Sequence, residues 1–194
     1  MRRSIAGAAF AVVLTLTAAC GDTGSSAGES SAATDGAVEQ RHNEADVRFA
    51  QQMIPHHEQA VTMATMVPER SADKELRELA GQIEDAQGPE IRQLESLLNS
   101  WSVPVEPESA QSSGGHESMS GMMSDEQMRQ LERADGSEFR SQWIEMMIDH
   151  HRGAVEMANT ELDSGLNRSA RDLAEDIVAA QKDEIGRMKA MLES

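Results

Sequence analysis

Apolar positions in this chain recur at helical spacing and nowhere alternate with a period of two. Ala50, Met53, His57, Ala60, Val61 and Ala64 fall on one face of a helix, and Leu76, Leu79, Ile83, Gln87, Glu90, Leu94 and Leu97 do the same further on. Between the two stripes the polar stretch Val67–Asp73, with Pro68 as a stop signal, predicts a tight turn. Pro55 and Pro89 sit inside helical patterns, where each removes a hydrogen bond and kinks its helix. The kink at Pro55, beside His56, is either incidental or a way of opening the backbone near a site.

Moving the sequence 94 residues along itself aligns Phe49–Leu98 with Trp143–Leu192 without a gap, and roughly a third of the pairs are identical. MIPHHEQAVTMA recurs as MIDHHRGAVEMA. Leu79, Ala80, Ile83, Ala86, Gln87, Glu90, Ile91 and Leu98 meet Leu173, Ala174, Ile177, Ala180, Gln181, Glu184, Ile185 and Leu192. Each unit is two helices, the second turning at Asp163–Asn167 around Gly165. Ser100–Gly121, rich in Ser, Gly and Pro, predicts a loop, and Ser124-Asp125-Glu126-Gln127 opens a short helix to about Ala134 with a capping box. Two hairpins of amphipathic helices bury their stripes best as an all-α, antiparallel four-helix bundle. The expected division is a leader over 1–19, a tether over 20–40 and a bundle over 41–194. Within the bundle come hairpin one (41–99), the loop and short helix (100–136) and hairpin two (137–194).

Composition sharpens this picture. The 194 residues include 34 acidic and 17 basic side chains, a formal charge of -17 with no basic stripe, which excludes nucleic acid as a partner. Aromatic residues make up 3%, Tyr is absent, and the core must rest on aliphatic residues and 13 Met. Methionine fills irregular gaps in cores, and outside the cytoplasm it is also a soft thioether ligand for cuprous ion. Arg2, Arg3 and the apolar run Ile5–Leu16 form a targeting segment too short to span a bilayer. Thr17-Ala18-Ala19-Cys20 resembles the lipobox at which bacterial lipoproteins are cut and lipidated, with Thr17 where Leu is usual. An ordinary secretory signal with an incidental Cys is the alternative. Cys20 is the only cysteine, so no internal disulfide forms. Gly21 to about Val38 is Gly, Ser, Ala and Thr with scattered acids, the composition of a flexible tether. The chain is therefore expected on the outer side of the cytoplasmic membrane, held by lipidated Cys20.

The chemistry-bearing residues lie in the stripes. His57 is one turn from Met53, His151 one turn from Met147, His56 is in line with Met63, and His150 with Met157. Glu90 and Glu184 stand mid-stripe in the second helix of each unit, where a buried carboxylate needs a partner. Such groups can form a satisfied polar network that fixes helix register. Four His, two Glu and at least four Met at matching positions point instead to a metal site. Imidazole with thioether favours copper over iron, manganese or magnesium, and suits Cu(I) or Ag(I). His116, Met119, Met122 and Met123 form a second cluster in the loop, either a capture site for soft ions or Met present by composition. Met188 shares a face with Glu184 and is a further candidate ligand. There is no H-E-x-x-H, no Gly-rich phosphate loop and no nucleophile in a recognisable motif. Di-iron bundles need Glu-x-x-His on two helices, and here the carboxylates are too few.

The doubled M-I-x-H-H-x-x-A-V-x-M-A, each followed by A-Q-x-x-E-I, resembles the bacterial domain of unknown function family 305, over about Arg41 to Leu192. The resemblance implies a ferritin-like four-helix bundle exported from the cytoplasm. Some members are implicated in periplasmic copper or silver binding and tolerance. It implies ligands among Met53, His56, His57, Met63, Met147, His150, His151, Met157 and Met188. Family members often continue E-I with x-x-Met, and this chain has Met188 in the second unit but Leu94 in the first, against a strictly symmetric site. The expected function is non-catalytic metal buffering, tolerance or transfer to a protein partner. A ferritin-like metal oxidase and a structural adaptor with a buried His–Glu layer are the rival readings.

Overall fold

Residues 40–105 and 119–194 are described by a computed structural model; the leader, Cys20, most of the tether and His116 lie outside the described residues. Among the described residues the chain forms five helices and no strand: α1 (Glu44–Arg70), α2 (Lys74–Ser100), α3 (Asp125–Arg133), α4 (Gly136–Ser164) and α5 (Arg168–Glu193). None is long and apolar enough to cross a membrane.

The helix starts follow from capping chemistry. Asn43 Oδ1 accepts from the amides of Ala45 and Asp46, while Asp46 Oδ2 accepts from the Asn43 amide at 2.6 Å, closing a capping box on α1. Asp73 caps α2 through Glu75 and Leu76, Ser124 and Gln127 box α3, and Asn167 caps α5 through Ala170. Pro68 does not end α1, which runs two residues beyond it. The carbonyls at that end are taken by Arg77, which donates to Ser71 O at 2.7 Å and to Pro68 O at 2.6 Å. Pro55 and Pro89 are likewise absorbed within continuous helices.

The long helices form an antiparallel bundle in which α1 pairs with α2, α4 with α5, and α1 with α4, while α2 and α5 barely meet. The α1–α4 seam is fixed along its length. Asn43 donates to Ser164 O at one end, and Trp143 Nε1 donates to Met63 O at 2.8 Å near the other. Two apolar clusters fill the interior. One gathers Met63, Val67, Leu76, Ile83, Trp143 and Met188 with Leu131 of the short α3; the other gathers Phe49, Met53, Leu94, Leu98, Ala158 and Ile177. Between them lies a layer that is not apolar.

Asp73 ties the hairpins as well as capping α2, because its Oδ2 accepts from Arg140 Nε at 2.8 Å while Arg140 also donates to Met191 O. Asp73→Ala should lower stability by about 1–2 kcal/mol, most of it from the cap, since the ion pair is partly solvated. Asp73→Asn, which can still cap, should recover at least half of that in urea unfolding. Equal losses for Ala and Asn would assign the effect to the ion pair instead.

Candidate metal centre

The layer between the clusters is built from adjacent histidines. Neighbours on a helix point about 100° apart, so one of each pair faces the partner helix of its own hairpin and the other faces across the α1–α4 seam. His56, His57, His150 and His151 are all fully buried.

His57 and His151 make matching dyads. His57 Nε2 lies 2.7 Å from Glu90 Oε2, and His151 Nε2 lies 2.7 Å from Glu184 Oε2. A carboxylate only accepts, so the hydrogen of the neutral ring sits on Nε2 and leaves the lone pair on the buried Nδ1. Glu90 and Glu184 are 18% and 14% exposed. They thus stand on the outer side of the histidines, holding each ring in one tautomer as carboxylates behind metal-ligating histidines do. His56 and His150 meet across the seam with ring centroids 3.8 Å apart and planes inclined at 39°. His56 Nε2 donates to Ser120 O at 3.2 Å, which leaves its Nδ1 free as well. His150 approaches the His56 main chain without reaching hydrogen-bond geometry, and both of its ring nitrogens are unpartnered.

Five buried imidazole nitrogens therefore lack a partner: Nδ1 of His56, His57, His150 and His151, and Nε2 of His150. Each such atom costs about 1–3 kcal/mol unless something binds it. Burial, and then the neighbouring His57, lower the His56 pKa from 6.5 to about 3. Burial, and then His56, hold His150 well below its ordinary value. These two rings stay neutral near pH 7, so they are free to donate to a cation without first losing a proton.

The methionines surround this layer. Met53 belongs to one apolar cluster, and Met147, with Met63 and Met188, to the other. All four are fully buried, whereas Met157 is half-buried against the first of these clusters. Met123 enters the same cluster as Met63, Met147 and Met188, while Met119 and Met122 are half-buried. Among the described residues no three His, Cys, Asp or Glu side chains form a ready-made cage for a metal ion. A shell drawn from this layer must then include thioether sulfur or a small ring rotation, and mixed imidazole–thioether donors fit a soft ion.

Two pairs escaped the sequence reading as site residues. Gln87 and Gln181 are buried one turn before Glu90 and Glu184; both amide atoms of Gln87 and the Gln181 oxygen are unpartnered. Their signal was a Gln at the same stripe position in both units. Gln59 and Ser120 are the second pair, joined to the layer by the backbone of residues 119–123.

A four-helix bundle with a buried layer of four histidines, each keeping a free ring nitrogen, between methionine-bearing clusters defines the class: an all-α protein with a polar layer across its core. The chain matches the model of the domain of unknown function DUF305 over residues 46–192, and it belongs to that family. Its fold is similar to a DUF305 protein from Streptomyces coelicolor, there regarded as secreted, at 32% identity and a TM-score of 0.71, covering 77% of this chain and 92% of that one. A DUF305 fragment from Deinococcus radiodurans is 34% identical with a TM-score of 0.69, covering 78% and 97%. CopM in its Cu(II)-bound form is 31% identical with a TM-score of 0.66, covering 76% and 95%. CopM is also known in Cu(I)-bound and silver-bound forms. No curated protein matches the chain.

Proposed function

We propose that this chain is an extracytoplasmic metal-binding protein that holds copper, chiefly as Cu(I), and buffers it or hands it to a partner without catalysis. The observation that carries this reading is the set of five buried, unpartnered imidazole nitrogens between two methionine-bearing clusters. Buried polar atoms are rarely left without a partner, so nitrogens that no protein group reaches are the natural place for a bound ligand. Neutral donors suit a monovalent soft ion, because a neutral shell leaves one net charge rather than two in a dry interior. The copper- and silver-bound forms of CopM support the same chemistry. His56, His57, His150 and His151 are the inner donors, Met53 and Met147 the flanking thioethers, and Glu90 and Glu184 the groups that orient His57 and His151. The lipobox-like Cys20 would hold the bundle at the membrane through the tether.

Anaerobic Cu(I) titration against a competing chelator tests this, with wild type beside the quadruple variant His56→Ala/His57→Ala/His150→Ala/His151→Ala. We expect tight binding that weakens at least tenfold, about 1.4 kcal/mol. Equal binding by both proteins, or none by either, overturns the assignment. Oxygen consumption that depends on added iron or copper would replace passive holding with a metal oxidase.

A further inference from the structure

The segment Met119–Met123 does not leave the bundle but lies across the α1–α4 seam at the histidine layer, and the two hairpins hold it by different means. On α1, Gln59 grips the Met123 main chain twice: Nε2 donates to its carbonyl at 2.9 Å and Oε1 accepts from its amide at 2.7 Å. On α4 the corresponding position, 94 residues on, is Gly153. A Cβ there would lie 1.9 Å from Ser120 O and 2.8 Å from Gly121 Cα. Gly121 answers from the other side: it has φ +80°, and a Cβ on it would lie 2.7 Å from Asp149 O and 2.9 Å from His150 O. The two backbones thus touch, which only paired glycines permit. Ser120 Oγ adds a hydrogen bond to Glu156 at 2.6 Å, and Ser120 O accepts from His56 Nε2.

These contacts converge on the one place where the two units differ in how a histidine is held. His57 and His151 each have a carboxylate, but of the pair that meets across the seam only His56 has an outer partner, and that partner is the segment itself. Along the same segment Met119 and Met122 are half-buried, while Met123 reaches the cluster that contains Met63, Met147 and Met188. Thioethers along this segment thus range from half-buried to buried.

We propose that residues 119–123 form a strap that gates the histidine layer, seated by Gln59 and Gly153, with Ser120 O holding His56 in its ligating tautomer and Met119 and Met122 as the outer thioethers past which a soft ion enters and leaves. The identity of the cargo rests on the metal-binding reading; the closure of the layer does not. Opening requires that the strap lift from Gly153, draw Met123 out of its cluster and release two Gln59 bonds, one from His56 and the Ser120–Glu156 bond, without parting the helices.

Gly153→Ala tests this in the full chain, with Gln59→Ala as the second variant because it removes bonds without adding bulk. Hydrogen exchange of the 119–124 peptide in metal-free protein should rise at least tenfold in both variants while the helix peptides stay protected. Carbethoxylation of His56 and His150 by diethyl pyrocarbonate, read by mass spectrometry, should quicken by a similar factor. In Cu(I)-loaded protein, release to a competing chelator should be at least tenfold faster, with the equilibrium affinity changed less than the rate. Faster exchange of the strap with unchanged histidine reactivity would overturn the gate and leave the segment as packing only. Unchanged exchange in both variants would overturn the seating by Gln59 and Gly153. If no variant and no wild type binds Cu(I), the metal assignment falls, and the carbethoxylation rates still decide the gate.

Discussion

His150→Leu is expected to abolish tight Cu(I) binding and, in the same molecule, to raise the stability of the metal-free bundle. His150 is fully buried with neither ring nitrogen partnered. Leu is of similar size, so it fills the site without a cavity and removes two unsatisfied polar atoms. We expect urea unfolding of the metal-free variant to show a gain of about 1–2 kcal/mol. Cu(I) affinity should fall at least a hundredfold, about 2.7 kcal/mol. His57→Leu should part company with it, losing affinity and stability together, because it strands the Glu90 carboxylate now bound to His57 Nε2. Opposite signs at two histidines of one layer are what a site kept for a ligand produces. A His150→Leu protein less stable than wild type would mean that the ring is already satisfied, and would return the layer to a structural role.

The helices, their pairing within each hairpin and the level of the histidines along the bundle were legible in the sequence, because a period of 3.6 and a repeated motif are local signals. Which histidine of each pair faces the interior was not legible, and the structure shows why the question was ill posed. His57 faces Glu90 on α2, His56 faces His150 on α4, and both are buried because α1 has a neighbour on each side. The role of Glu90 and Glu184 was not legible either. A mid-stripe carboxylate predicts a partner, but only the α1–α2 and α4–α5 crossings decide that the partner is Nε2. The strap was hidden more deeply. Ser100–Gly121 has the composition of a loop, and nothing local marks its last residues as docked. The sole trace is that Gln59 in one unit answers to Gly153 in the other, a difference that gains meaning once Ser120 is seen against it. Asp46 and Glu161 stand 115 residues apart in the chain, and no pattern joins them.

That pair carries the second large effect. The Asp46 carboxylate is fully buried and satisfied by main-chain amides: Asn43 at 2.6 Å, Leu166 at 3.0 Å and Asn167 at 2.8 Å. Glu161, only 1% exposed, lies beside it with no donor on either oxygen, and a Cβ on Gly165 would fall 2.7 Å from the Glu161 carbonyl oxygen. Burial first, and then the Asp46 carboxylate, push the Glu161 pKa from 4.5 up to about 8. The folded chain therefore keeps a proton that the unfolded chain releases between those two values. Where the native state binds more protons, stability falls as pH rises, so this contribution is complete below pH 4.5 and is lost through pH 8. His56 and His150 act in the reverse sense: their lowered pKa values leave stability intact above 6.5 and remove it progressively as pH falls below that. Glu161→Gln keeps the shape and supplies a permanent donor toward Asp46. Its urea midpoint should match wild type near pH 5 and exceed it above pH 8 by the equivalent of about 1–3 kcal/mol, while the acid limb set by the histidines is unchanged. Metal-free protein is needed for both curves, since a bound cation would compete with protons for the histidines. Parallel profiles for the two proteins across this range would show that Glu161 is ionised in the fold, and that the α1 start and the α4–α5 turn meet as two like charges held together by the amides around Asp46 alone.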